Sequence, residues 1–260
     1  MMSDFLNANY HAHTARCQHA YGTEREFIEA AIDMGEKVFG FSDHIPCPFK
    51  DGYVSNIRMT MAQAPEYVSC IRKLAEEYKD DIKILVGFEA EYIPKFFDEQ
   101  IAMAQNLGID YMIMGQHFWD SENKGPYSGS PTKDEERIRL YVDSVIEGMQ
   151  TGCYLYLAHP DLINYQGLDS VYEFEMERLC RAMLQMDIPL EINMLGKATN
   201  RNYPNPKFWE IASKIGNKVV LGQDAHAVEH ITDRKTFEEC MELVDRFSLP
   251  LLKELKLSNQ

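Results

Sequence analysis

The sequence predicts an α/β fold, in which seven strand-and-helix units build a parallel sheet that closes into a barrel. Short apolar segments of β-prone residues alternate with longer amphipathic segments, and this alternation is typical of parallel strands with helical crossovers. Seven units within 260 residues are too many for a comfortable open sheet, so closure is favoured over the alternative, an open doubly wound sheet. Because no linker or low-complexity segment interrupts the pattern, residues 1–260 are interpreted as a single domain.

The strands are predicted where short runs are rich in β-branched, aromatic and other apolar residues. They are Phe5–His11, Val38–Ser42, Ile82–Glu89, Tyr111–Gly115, Tyr154–Ala158, Leu190–Met194 and Val219–Gln223. The helices that follow them are predicted at Thr23–Met34, Ala64–Tyr78, Phe96–Leu107, Asp134–Gln150, Val171–Met186, Lys207–Ile215 and Arg234–Phe247. Thr23 and Glu26 have capping-box spacing, and glycine follows three helices, at Gly35, Gly108 and Gly152. Longer loops are predicted after the second, fourth and sixth strands, at Pro46–Thr60, Trp119–Thr132 and Leu195–Pro206.

The composition is that of an ordinary globular enzyme, with 45% hydrophobic and 26% charged residues. No apolar run is long enough to span a membrane, and Met1–Tyr10 lacks the features of a secretory signal, so a cytoplasmic protein is expected. The formal charge of -15 argues against nucleic acid as the main partner. The six cysteines are scattered without a C-x-x-C pair, which favours reduced thiols over a zinc ribbon or a disulfide framework.

The histidines follow the strand pattern, because seven of the eight fall at or just beyond the end of a predicted strand. They are His11, His13, His19, His44, His117, His159 and His226, and only His230 falls outside the pattern. Carboxylates occupy similar places, at Glu89, Glu91, Glu191 and Asp224. In a parallel barrel these strand ends meet at the C-terminal face, where active sites form. Seven unrelated structural histidines would not be expected to converge there, so we predict a metal centre.

The local spacing gives this prediction a geometric basis. His11 and His13 are two residues apart and therefore point to the same side of a strand, as do Asp224 and His226. Imidazoles combined with carboxylates suit zinc, iron or manganese better than calcium. One zinc site takes about three or four protein ligands, so this set suffices for two or three ions. Asp43 is interpreted equally as a metal ligand or as a partner that orients a ligand. Glu91 and Glu191 are interpreted as groups that orient a ligand or line the barrel.

Six motifs together resemble the PHP (polymerase and histidinol phosphatase) family, in the family's order and over nearly the whole chain. They are Y-H-A-H-T at 10–14, F-S-D-H at 41–44, G-F-E-A-E-Y at 87–92, G-Q-H at 115–117, A-H-P-D at 158–161 and Q-D-A-H at 223–226. The stretches I-R-M-T-M at 57–61 and I-L-V-G-F-E at 84–89 are similar to the free-standing histidinol-phosphatase branch. The resemblance implies a distorted TIM-like (β/α)7 barrel.

The resemblance also implies three divalent transition-metal ions, zinc, iron or manganese, and a sorting of their ligands. The first ion would be bound by His11, His13, Glu89 and Asp224. The second would share Glu89 as a bridge, with His117 and His159, and the third would be bound by His19, His44 and His226. The implied activity is that of a phosphoric monoester hydrolase, with L-histidinol phosphate, an intermediate of histidine biosynthesis, as the leading substrate. The alternatives are a related phosphoesterase acting on nucleotides or another small phosphate ester, and a metal-stabilised partner module without catalytic activity.

In this hypothesis a hydroxide that bridges the first two ions, which Glu89 and Asp224 help to bind, attacks phosphorus in line. The leaving group would be protonated by a metal-bound water, by Asp161 or by Asp43. Arginine matches two phosphate oxygens at once, so Arg16 and Arg201 are candidate phosphate contacts, with Lys197 close to the second. The expected partner is a small phosphorylated substrate, with neither nucleic acid nor membrane, and the sequence makes no prediction of oligomeric state.

Overall fold

A curled parallel sheet with packed helices organises residues 5–257, the part of the chain that the computed structural model describes. The segment Met1–Tyr10, which was interpreted as lacking a secretory signal, therefore lies partly outside the described residues. The strands are β1 Ala8–Asn9, β2 Val38–His44, β3 Lys83–Ala90, β4 Tyr111–Met114, β5 Leu190–Asn193 and β6 Val219–Gly222. The helices are α1 Glu24–Met34, α2 Ala64–Glu77, α3 Pro94–Leu107, α4 Glu135–Gln150, α5 Asp169–Gln185, α6 Met194–Ala198, α7 Pro206–Ile215, α8 Val228–Ile231 and α9 Arg234–Phe247, with a short 3-10 turn at Ala15–Cys17.

The sheet follows the order of the chain, as expected for repeated strand-and-helix units. Strands β1, β2, β3 and β4 pair in parallel, and so do β5 and β6. The predicted fifth strand, Tyr154–Ala158, lies between these two groups but pairs only through single bridges, in which Leu157 joins both Met114 and Leu190. A further bridge links Ala12 to Ala225, beyond the ends of β1 and β6. The prediction of a distorted TIM-like barrel is therefore confirmed.

The ends of the elements follow local chemistry that the sequence displays. Thr23 and Glu26 form the predicted capping box of α1, and Gly35 ends that helix with a φ of 87°. Gly108 ends α3 in the same left-handed conformation, with a φ of 61°. By contrast, the predicted first strand is too long, because β1 has only two paired residues. The predicted loop at Leu195–Pro206 overlaps α6, which begins where the Asn193 side chain accepts a hydrogen bond from the Gly196 amide at 2.8 Å.

In β2, β3, β4 and β6, residues on opposite faces of the strand belong to two different apolar clusters, as the two-residue period of a strand requires. On β2, Val38 belongs to a small cluster inside the barrel and Phe39 to a large one between the sheet and the helices. Tyr111 fills the interior because Gly40 and Gly87 face it without side chains, and a Cβ at either glycine would overlap the tyrosine. The barrel therefore has a packed interior beneath its C-terminal face.

The C-terminal segment covers the opposite end of the barrel. Leu251 bridges Val219 at the start of β6, and Leu252, Leu255 and Leu257 pack against the inner cluster. The Leu255 amide donates to the Tyr10 hydroxyl at 2.9 Å, which ties this segment to the residue before His11. Among the residues described, none of the helices combines the length and apolar character that crossing a bilayer demands.

Candidate metal centre

The barrel brings the nine predicted ligands into one cluster at its C-terminal face. The ring of His13 lies 4.1 Å from that of His226 and 4.4 Å from that of His44, between centroids. His19 joins this group, with its centroid 4.8 Å from that of His226. On the other side, the His117 ring lies 5.2 Å from that of His44 and 5.0 Å from that of His159. His11, Glu89 and Asp224 lie among these rings, with His11 Nε2 3.6 Å from Glu89 Oε2 and 3.4 Å from Asp224 Oδ1.

Glu89, near the end of β3, is the hub of the cluster. Its Oε2 lies 3.0 Å from His44 Nδ1 and 3.5 Å from His13 Nε2. Its Oε1 lies 2.8 Å from His159 Nε2 and 3.5 Å from His117 Nε2. Burial alone would raise the pKa of this carboxyl, but the surrounding imidazoles, above all His117, hold it well below the usual range. Glu89 is therefore an ionised carboxylate with imidazoles on both of its oxygens.

Asp224, just after β6, is a second carboxylate at the same place. Its Oδ1 lies 3.1 Å from His13 Nε2 and 3.4 Å from His11 Nε2. The Asn193 amide donates to its Oδ2 at 3.1 Å, which fixes the orientation of the carboxylate. Burial opposes ionisation, yet the imidazoles, above all His11, keep its pKa well below the usual range. The Asp224 carboxylate of the predicted D-x-H pair thus lies against the Nε2 atoms of both histidines of the predicted H-x-H pair.

Buried carboxylates orient two of the imidazoles. His11 Nδ1 lies 2.7 Å from Glu191 Oε1, and His117 Nδ1 lies 3.3 Å from Glu91 Oε1. Each carboxylate accepts the Nδ1–H of its ring, so in the neutral imidazole that binds a metal the free lone pair lies on Nε2. Carboxylate–histidine pairs of this kind set the tautomer of histidines that bind metals.

Backbone carbonyls orient two more imidazoles in the same sense. His19 Nδ1 donates to the Cys17 carbonyl at 2.7 Å, and His226 Nδ1 donates to the Asp224 carbonyl at 2.8 Å. A carbonyl can only accept, so here too the Nε2 atom is left as the potential ligand. The same tautomer is thus selected at four histidines through different acceptors.

The free nitrogen atoms fit a divalent metal. Among residues 5–257, His11 Nε2 and both ring nitrogens of His13 are buried without a hydrogen-bond partner. Leaving a buried polar group unpaired costs about 1–3 kcal/mol, and a bound cation would satisfy these lone pairs. Three of the groups whose ligand atoms all lie within 4.8 Å of one another are His11–His13–Glu89, His44–Glu89–His117 and His19–His44–His226. Imidazole and carboxylate donors in such sets define a site for a divalent transition metal.

The two aspartates predicted as proton donors are buried and hydrogen-bonded. Asp43 Oδ2 accepts from the amide of Thr14 at 3.2 Å and from its hydroxyl, and Asp43 Oδ1 accepts from the His44 amide at 2.8 Å. Asp161 Oδ2 accepts from the Asn205 amide at 2.5 Å, and burial raises the pKa of Asp161 to about 7. Neither aspartate lines the cavity that opens onto the cluster.

A cavity of about 440 Å³ opens onto the cluster. One wall consists of six of the predicted ligands, His19, His44, Glu89, His117, Asp224 and His226. The other wall is largely apolar and aromatic, with Ile57, Phe118, Tyr127 and Leu195, and is completed by Thr199, Arg201 and His230. The volume of the cavity is typical of a binding site for a small molecule. The cavity has charged groups on one side and mainly apolar groups on the other.

The three predicted phosphate contacts lie in different surroundings. Arg201 lines the cavity and donates to the Tyr203 hydroxyl at 2.6 Å, and it forms no ion pair within residues 5–257. Arg16 is instead engaged by Glu24 and by Glu66, whose Oε2 lies 2.9 Å from its Nε. Lys197, on α6, pairs with Glu239 at 3.3 Å. Neither Arg16 nor Lys197 lines the cavity.

His230, which the strand-end pattern leaves out, lies in the cavity wall. Its Nδ1 accepts a hydrogen bond from the His226 amide at 3.1 Å. The signal was available in the sequence as an i, i+4 spacing from His226, but α8 has only four residues and gives no helical periodicity. Phe118 and Tyr127 were also missed, because aromatic residues in a loop carry no signal that separates a cavity wall from a core.

A parallel barrel with a histidine- and carboxylate-rich metal centre at its C-terminal face is the architecture of a metal-dependent hydrolase. The chain belongs to the PHP domain family, whose model matches residues 9–194. It is 31% identical over 228 residues to a Deinococcus radiodurans protein named "Probable histidinol-phosphatase", covering 83% of this chain and 85% of that one. It is 24% identical over 254 residues to the "Probable phosphatase YcdX" of Escherichia coli, covering 95% and 89%.

A solved structure has the same fold. The histidinol phosphate phosphatase of Lactococcus lactis, crystallised with zinc, L-histidinol and phosphate, matches with a TM-score of 0.74 and 20% identity. The match covers 96% of this chain and 98% of that one.

Proposed function

We propose that the protein is a metal-dependent histidinol-phosphatase, which hydrolyses L-histidinol phosphate to L-histidinol and inorganic phosphate. The observation that carries the proposal is the cavity, which joins a cluster of imidazoles and carboxylates to Arg201 and to an aromatic wall. Such a cavity offers one side to a phosphate group and the other to a flat organic group. The name of the Deinococcus radiodurans relative, at 31% identity, supports the same substrate.

Three divalent transition-metal ions, zinc, iron or manganese, would be held by the nine clustered side chains. The ligand sorting implied by the family is retained: His11, His13, Glu89 and Asp224 for the first ion, Glu89, His117 and His159 for the second, and His19, His44 and His226 for the third. The close approach of the last three supports the third set. When bound, such ions supply a nucleophile at neutral pH, neutralise phosphoryl oxygens and stabilise the leaving alkoxide.

The remaining work falls to side chains of the cavity and of its supporting shell. Arg201 binds the phosphate, because its guanidinium lines the cavity and is held by a hydroxyl rather than by a carboxylate. Asp43 and Asp161 accept hydrogen bonds from backbone amides, which fix both side chains, and the candidates to protonate the leaving group are these two aspartates and a metal-bound water. Phe118 and Tyr127 face the organic half of the substrate.

The proposal is tested by measuring phosphate release from a panel of monoesters, with the metal content determined on the same sample. We expect kcat/KM to be highest for L-histidinol phosphate, above p-nitrophenyl phosphate and AMP, because the cavity wall selects the organic half. Should AMP be preferred by about tenfold or more, the nucleotide phosphoesterase is the better description. If the metal-loaded protein hydrolyses none of the esters, the alternative of a metal-stabilised partner module without catalytic activity is the better description.

A further inference from the structure

Arg58 is a buried cation outside the metal cluster and outside the cavity wall. It lies in the loop between β2 and α2, within the I-R-M-T-M stretch, and is 2% exposed. Its Nη1 and Nη2 donate to the two oxygens of Glu91 at 3.0 and 2.9 Å. Its Nε donates to Glu122 Oε2 at 2.6 Å, and Nη1 also donates to the Ile45 carbonyl at 2.9 Å. A buried guanidinium with this many acceptors is fixed in position.

Glu91 connects Arg58 to the metal cluster. Its Oε1 accepts from Arg58 and also lies 3.3 Å from His117 Nδ1. Both oxygens of Glu91 accept hydrogen bonds from the Arg58 guanidinium, so the carboxylate is held as a buried ion pair. An ionised carboxylate can only accept, and it therefore keeps the proton on His117 Nδ1 and leaves Nε2 facing Glu89.

Glu122 gives Arg58 a second connection, to the loop that supplies part of the cavity wall. This carboxylate lies between Phe118 and Tyr127 in sequence, and its side chain is 3% exposed. Arg58 thus joins two loops above the barrel, its own and that of Glu122. Of the two carboxylates, and within residues 5–257, only Glu91 contacts a predicted metal ligand.

We propose that Arg58 is a positioning residue, which acts through Glu91 to hold His117 in the tautomer and orientation that bind metal. The inference rests on the proposed metal centre, since it concerns one of its ligands. Glu122 ties the neighbouring loop to the same guanidinium but does not act on His117. Groups that orient a metal-binding histidine typically change metal affinity by about 10- to 100-fold when they are replaced.

The structure supplies a matched pair of variants, because Glu91 and Glu122 are buried carboxylates on one guanidinium. Chelator-treated protein would be titrated with Zn²⁺ by calorimetry, alongside measurement of the thermal midpoint. Glu91→Gln keeps an oxygen for Arg58 but removes the ionised acceptor for His117, so we expect at least one Zn²⁺ dissociation constant to rise about 10- to 100-fold. Glu122→Gln should leave every Zn²⁺ dissociation constant near that of the wild type, although it too loses an ion pair with Arg58.

Arg58→Lys gives a graded test, because an ammonium cannot donate to both oxygens of Glu91 in the fork geometry. Its Zn²⁺ affinity should fall between those of the wild type and Glu91→Gln. Equal Zn²⁺ affinity in the wild type and Glu91→Gln would overturn the inference, as would equal losses in Glu91→Gln and Glu122→Gln. Failure of the wild type to bind Zn²⁺ would reject the proposed metal centre itself, so the two failures are distinguishable.

Discussion

At the scale of single residues, hydrogen bonds on Nδ1 prepare the histidines for metal. The acceptors differ in kind: His11 and His117 use carboxylates, whereas His19 and His226 use backbone carbonyls. The Nε2 atoms are oriented before any ion arrives, so less orientational freedom is lost when an ion binds. The sequence could predict that the histidines converge, because strand ends meet at one face. For His11 it could not predict which nitrogen is free, because that depends on Glu191, which is distant in sequence.

Arg201 separates substrate binding from metal binding at this scale. Replacing it with alanine removes a charged hydrogen-bond donor, which contributes about 1.5–3 kcal/mol, so kcat/KM for L-histidinol phosphate should fall about 10- to 100-fold. Metal content should stay unchanged, because guanidinium is not a metal ligand in proteins. Arg201→Lys should recover only part of the activity, since an ammonium lacks the fork geometry.

Arg16→Ala is the matched comparison, because Glu24 and Glu66 already occupy that guanidinium. Steady-state kinetics should show little change for this variant. If Arg201→Ala has wild-type kinetics and Arg16→Ala loses most of its kcat/KM, Arg16 rather than Arg201 is the arginine that binds the phosphate. Loss of metal in Arg201→Ala would show that the two functions are not separate.

At the scale of elements, the end of β4 makes room for the central carboxylate. A Cβ at Gly115 would overlap Glu89 Oε1 and crowd the His159 ring. Gly115→Ala should therefore displace Glu89 and lower the metal content and turnover, while α-helical circular dichroism remains. Gly125→Ala is the control, because a Cβ there meets its nearest atom, the Ser121 carbonyl oxygen, at 3.4 Å. Full metal content in purified Gly115→Ala protein, by elemental analysis, would argue against a central role for Glu89.

Most long elements could be predicted because their periodicity extends over several turns or strand residues. The helix at Arg234–Phe247 has the predicted bounds, whereas α6 and α8 are too short to show a pattern. Tyr154–Ala158 has a strand-like composition, yet only Leu157 forms bridges. The Arg58–Glu91 ion pair could not be predicted from the sequence, because its partners are 33 positions apart and no local spacing indicates such a contact.

At the scale of the molecule, the two ends of the barrel have different roles. The C-terminal face carries the nine clustered ligands, while Tyr111 fills the interior and the C-terminal segment covers the other end. This separation lets apolar packing stabilise the barrel without crowding the polar face. The formal charge of -15 is compatible with several bound cations, which would offset part of it.

The metal stoichiometry tests the central claim most directly, because the proposed function requires all nine ligands to act together. Full-length protein, purified without chelators and reconstituted with zinc, iron or manganese, would be analysed for metal per chain. If the ligands form three sites as proposed, the measured content approaches three ions per chain. A content of at most one ion per chain, after reconstitution with each of the three metals, would contradict the account.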